Sequence, residues 1–161
     1  HRGNLARLVE ELINEEKLDK AEEIADIAMT NMPVEYFGYY TLLEPYIGAY
    51  YEVDAKDKAR DLYFKVSKKY QENLSYYSGL TRDNQERLFE DIYVDIQRYK
   101  GLIDVLVRYD TELAEKEGDT FNNYLRLFKY FYGEEDEVET ETRTDIDIPL
   151  DSGTTAIEAN E

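Results

Sequence analysis

Leu12-Ile13-Asn14-Glu15-Glu16-Lys17-Leu18-Asp19-Lys20-Ala21-Glu22-Glu23-Ile24-Ala25-Asp26-Ile27-Ala28 has an echo 38 residues further on, between Tyr50 and Val66. Asp19-Lys20-Ala21 returns as Asp57-Lys58-Ala59, the apolar pair Leu12-Ile13 as Tyr50-Tyr51, and the small Ala28 as Val66. Each copy holds two short amphipathic stretches with a small residue where they would cross, and self-similarity at such a period is the mark of stacked helical hairpins. The echo predicts an all-α array that serves as a binding scaffold.

Outward from the echo, Asn4 is placed to cap a first helix ending near Glu15, along which Leu5, Leu8, Val9, Leu12 and Ile13 recur at helical spacing. Asp19 with Glu22 makes a capping-box pattern for a second helix that Pro33 closes. The bulk-free Ala21 and Ala28 let that helix lie close against the first. Val34 to Tyr40 is a connection of unusual aromatic content; a third helix is then expected from near Thr41 to Val53, with Pro45 in its first turn, where the missing N–H costs little. A fourth runs from Asp57 to about Tyr77, with Gly79 past its end.

Beyond Asp83 and Glu86, apolar side chains fall at Leu88, Ile92, Ile96, Tyr99, Ile103, Leu106 and Leu113 without a phase slip at Gly101. The spacing predicts one long helix from about Asp83 to Lys116, reaching about 50 Å and bracing both hairpins. Gly118 ends it in this reading, and Asp119 caps a short last helix whose Phe121, Tyr124, Leu125, Phe128 and Phe131 face inward. Two regions follow: a helical domain over 1–133 and an acidic C-terminal tail over 134–161, in which the alternation of Ile146, Ile148 and Leu150 suits an extended segment docked on an apolar surface.

Charge narrows the partners. Formal net charge is −18, and 134–161 carry eleven acids and one Arg, leaving 26 acids against 18 bases in 1–133. Such a surface repels polyphosphate, so nucleic acid is excluded as a partner. Lys65-Val66-Ser67-Lys68-Lys69 is the one basic cluster and reads as a solvated helix face. The absence of cysteine removes disulfides, thiol catalysis and thiolate metal sites. No apolar run approaches the ~18 residues that span a bilayer, and there is no signal-peptide layout. A start at His1 rather than Met marks the chain as a piece of something longer.

The hairpins resemble tetratricopeptide repeats: Ala21, Ala28 and Pro33 in the first copy, and Ala49-Tyr50-Tyr51 followed by Ala59 in the second, stand where that family keeps its small, aromatic and closing residues. Val9 stands where the family favours glycine, and Gln71 where it favours the closing proline. A longer resemblance, carried by Arg2-Gly3-Asn4, Met32-Pro33, Ala49-Tyr50-Tyr51-Glu52, Leu102–Leu113 and Phe121–Tyr132, is to the soluble C-terminal region of a bacterial multi-pass membrane family similar to protein O-mannosyltransferases, with an N-terminal domain of unknown function. That resemblance implies a membrane-associated parent, with this domain on the periplasmic side and catalysis in a membrane part outside the present sequence.

No catalytic residue, metal ligand or cofactor site is expected in the chain itself. His1 is the only histidine, which removes Ser–His and metal–His constellations. Neighbouring carboxylates at Glu10-Glu11, Glu15-Glu16 and Glu22-Glu23 point about 100° apart on a helix and read as solvated faces rather than a glycosidase pair. Asp145, Asp147 and Asp151 beside Gly153 lack the spacing of a calcium loop. Candidate partner-binding residues are Ala6, Glu10, Ile13 and Tyr51, which the resemblance places on a concave groove, and the connection aromatics Tyr36, Phe37, Tyr39 and Tyr40, which either plug the array or face a partner. The expected function is a non-catalytic interaction module at the C-terminus of a membrane glycosyltransferase-like protein, binding a peptide, a subunit or its own membrane domain. The competing reading is a stand-alone soluble adaptor unrelated to glycosylation.

Overall fold

The computed structural model describes residues 1–132, which are all-α with no strand among them. In chain order the helices are α1 (Arg2–Asn14), α2 (Leu18–Asn31), α3 (Val34–Phe37), α4 (Glu44–Glu52), α5 (Lys56–Ser78), α6 (Arg82–Arg87), α7 (Phe89–Tyr109) and α8 (Thr111–Arg126), with short 3-10 turns at Tyr40–Leu43 and Lys129–Tyr132. Three successive pairs carry the packing: α1 on α2, α4 on α5, and α7 on α8. The acidic tail, the alternating Ile146 to Leu150 and the domain boundary at 133 lie outside the described residues.

The 38-residue echo is visible in the backbone. Glu16 and Asp54 both take a left-handed conformation (φ 59° and 62°). Beside them the Lys17 N–H reaches the Leu12 carbonyl, and the Ala55 N–H the Tyr50 carbonyl, each at 2.8 Å. Both hairpins thus turn through one closing motif, in which a left-handed residue lets the next N–H satisfy a carbonyl from the last helical turn. This tight closure corrects the expected caps. The second helices begin at Leu18 and Lys56 with no side-chain cap bond, which leaves Asp19 and Asp57 inside the first turn, where a carboxylate favours the helix dipole. Asn4 likewise sits within α1, which begins at Arg2.

The core matches the small-residue pattern. Ala21, Ala28, Ala59 and Val66 are wholly buried, as are the rings of Tyr46, Tyr63, Tyr70 and Tyr99. Each of these tyrosines brings a polar tip inward and finds a partner for it: Tyr46 donates to the Arg2 carbonyl at 2.7 Å, Tyr63 to Glu117 at 3.0 Å and Tyr70 to Glu44, while Tyr99 accepts from Gln71 at 2.7 Å. Burial with a satisfied hydroxyl is what lets tyrosine replace phenylalanine in a core.

The long brace from Asp83 to Lys116 is not formed. α6 ends at Arg87, α7 starts afresh after Leu88 and runs on through Gly101, and the chain leaves it at Asp110 (φ −149°, ψ 70°). α8 then folds back, setting Phe121 edge-on to Tyr99 with centroids 5.2 Å apart. Gly118 therefore lies inside a helix instead of ending one, and Asp119 caps nothing. Apolar spacing carried across the break because Leu113, on the returning helix, still faces the shared core.

The joint between the first two pairs hangs on Arg2. Its side chain is buried and donates to the Met32 carbonyl (3.0 Å from Nε), the Gly38 carbonyl (2.5 Å) and the Tyr39 carbonyl (3.3 Å). Gly38 and Tyr39 are both left-handed (φ 58° and 50°), and Arg2 holds them there from the start of α1.

Candidate functional site

The first helices of the three pairs lie side by side, α1 against α4 and α4 against α7. Between them runs a groove of about 480 Å³. Residues three and four apart share a helix face, so Gly3, Ala6, Glu10 and Ile13 of α1, Pro45, Gly48 and Glu52 of α4, and Val105 and Arg108 of α7 all meet it. Its floor stays open because the residues are small: a Cβ added at Gly3 or Gly48 would meet nothing within 4 Å. Its rim is polar, with the Tyr109 hydroxyl donating to Glu52 and the Arg108 guanidinium 5.8 Å from the Tyr109 ring centroid.

The structure brings Ala6, Glu10 and Ile13 together in this groove. Tyr51 lies where the second and third pairs meet, its ring stacked on Tyr109 at 5.5 Å and its hydroxyl donating to Asp110 at 3.1 Å. Burial and Asp110 push that hydroxyl up to about 12. The aromatic connection divides. Tyr40 plugs the array, edge-on to Tyr70 at 5.2 Å and accepting from Asn73 at 3.0 Å, whereas Tyr36 and Tyr39 are 86% and 75% exposed and stand apart from the groove lining. Phe37 closes the single turn of α3.

No family model, curated protein or solved structure matches the chain. The site is therefore read from its own chemistry. Among the described residues no cluster of His, Cys, Asp or Glu could hold a metal ion, and no helix is long and apolar enough to cross a membrane.

The residue that sequence reasoning missed is Asp110. Its buried carboxylate accepts from Arg60 at 2.7 and 3.0 Å, pairs with Lys56 at 3.2 Å and accepts from Tyr51. The Arg60 guanidinium holds its carboxyl well below the usual carboxylate range, helped by Lys56 and Tyr51, against the opposing effect of burial. Asp110 thus fastens the α7–α8 turn to the start of α5, and so sets the third wall of the groove against the second. Partners 50 residues distant leave no mark in local spacing. Asp95 shows the opposite electrostatics: burial pushes its carboxyl up, and its partner is the neutral Asn73 at 2.8 Å.

Proposed function

We propose that the chain is a non-catalytic helical-repeat module, tetratricopeptide-like in its pairing, whose α1/α4/α7 groove holds an extended segment of a partner protein. The observation that carries this reading is the alignment of one helix from each pair along a trough floored by Gly3, Ala6 and Gly48. A trough without side-chain bulk admits a close backbone, and Gly48, a mid-helix glycine that costs stability, has no neighbour of its own chain to make room for. The resemblance of the Arg2-Gly3-Asn4, Ala49–Glu52 and Leu102–Leu113 segments supports a place at the C-terminus of a membrane glycosyltransferase-like protein, with the partner a subunit or the parent's own membrane domain.

The test is selection of displayed 12-residue peptides on the full chain, followed by titration of the enriched peptides against groove variants. Ala6→Trp with Gly48→Trp fills the trough and should weaken binding at least tenfold, while Leu8→Trp, on another face of α1, should leave it unchanged. Equal binding by all three proteins, or enrichment of no peptide, would sink the groove reading. Several apolar stretches of membrane-spanning length encoded upstream of His1 would support the parent; a secretory signal alone would favour the free-standing adaptor.

A further inference from the structure

α4 lies on both helices of the first pair, and α7 on both helices of the second. Each pair is thus covered by the leading helix of the next, but among the described residues no pair follows α8. The outer face of α7 and α8 is where a fourth leading helix would lie, and a groove of about 430 Å³ runs along it, floored by Ile96, Phe121 and Leu125. We propose that this face binds an amphipathic helix of another protein, whose apolar stripe lies on that floor and whose flanking carboxylates meet Lys100 and Arg126. The face shares no lining residue with the α1/α4/α7 groove.

The occupied joints fix the charge of the occupant, because cations and carboxylates cross both of them. Lys58 of α5 reaches Glu22 and Asp26 of α2 at 2.8 and 2.6 Å. Arg98 of α7 reaches Glu44 of α4 at 3.2 Å, and Asp110 of the third pair draws Arg60 from the second at 2.7 Å. The outer face has the cations of such a joint without its carboxylates. One wall presents Gln97 and Lys100, the other Asn122 and Arg126, and in a chain of 37 acids and 19 bases none of the described residues lining the groove is acidic. Lys100 turns to Asp104 on its own helix at 2.8 Å, and Arg126 to the neutral Asn123. Exposed contacts within one helix contribute little and give way to carboxylates held across a drier joint.

Apolar exposure points the same way. Phe89, Tyr93, Ile96 and Lys100 follow one another at steps of four, three and four, so they form one stripe of α7. Phe131 meets Phe89 edge-on at 5.0 Å, yet Phe89 remains 37% and Tyr93 41% exposed. The end unit of a finished array carries a polar outer face, whereas here two aromatic rings stand in line with an apolar floor. A helix laid in this groove meets it with side chains at i, i+3, i+4 and i+7, the usual mode of helix docking.

The test is a displayed library of 18-residue helices, with leucine along one stripe and the flanking positions drawn from Asp, Glu, Lys and Gln, selected on the full chain. Enriched helices should carry Asp or Glu at the flanks, although a net charge of −18 would by itself draw lysine. Lys100→Glu with Arg126→Glu should weaken these helices about tenfold or more in fluorescence anisotropy and turn a repeated selection to lysine flanks, a reversal that misfolding does not produce. Lys100→Gln with Arg126→Gln should remove the preference for either charge. Ala6→Trp with Gly48→Trp, in the other groove, should leave binding unchanged. Enrichment of no helix, lysine flanks on the unaltered chain, or binding lost with Ala6→Trp and Gly48→Trp would overturn the proposal. A doubled mass of the chain alone in sedimentation, abolished by Lys100→Glu with Arg126→Glu, would overturn it too, by making a second copy the occupant.

Discussion

Two buried aspartates, alike in sequence, respond oppositely to acid. Asp110 has its folded-state pKa depressed by Arg60, so its contribution is fully present above the ordinary carboxylate pKa of about 3.9 and is lost as pH falls through the lower folded value. Asp110→Ala should cost about 1–3 kcal/mol at pH 7, because it removes the charged acceptor of the Arg60 and Tyr51 hydrogen bonds, while Arg60 and Lys56 keep access to solvent. Thermal melting from pH 7 to pH 2 should show the gap between variant and parent closing only below about pH 4; a gap independent of pH would mean that the carboxylate contributes nothing by its charge. Asp95 has its folded-state pKa raised by burial, so its ionised form burdens the fold at neutral pH, and protonation relieves that burden as pH falls through the folded value. Asp95→Asn keeps an acceptor for Asn73 and should raise the melting temperature at pH 7, the advantage vanishing below about pH 4. A lower melting temperature at pH 7 would contradict this assignment.

Among the elements, α8 tests the third pair most sharply. Gly118 lies inside α8, and a Cβ there would meet nothing within 4 Å, so Gly118→Ala should stabilise by about 0.5–1 kcal/mol, measured by urea denaturation. Were Gly118 a left-handed helix terminus, as its sequence context suggests, the same change would destabilise. The first two pairs were legible in the sequence because their turns are local: a left-handed residue, the hydrogen bond that follows it and the small residue at the crossing lie within a few positions of one another. The third turn was hidden. Asp110 stops α7 through a guanidinium on α5, and the apolar spacing keeps its rhythm on both sides of the break. The same logic divides the candidate site. Ala6, Glu10 and Ile13 share a face by helical period alone, whereas the placement of Tyr51 against Asp110 and of Tyr40 against Tyr70 depends on packing between distant segments.

At the scale of the whole molecule, the three pairs share one continuous core, from Val9 and Ala21 through Tyr46 and Tyr63 to Tyr99 and Phe121. Two pairs alone leave that core open, and arrays of this kind need about three units to stand. A chain cut after Ser78 removes Glu117 from Tyr63 and Tyr99 from Tyr70, and it should lose most of its helical circular dichroism at 25 °C. Retention of a cooperative melt by that fragment would show that the first two pairs form an independent unit. Arg2 gives the joint between those pairs a further property. Its acceptors are the main-chain carbonyls of Met32, Gly38 and Tyr39, and every residue type supplies a carbonyl. The clasp is therefore blind to the side chains it holds. Tyr36 and Tyr39 can be exchanged over generations without loosening the joint, so the connection is free to evolve a new outward face while a single arginine, 30 residues upstream of Met32, keeps its path fixed.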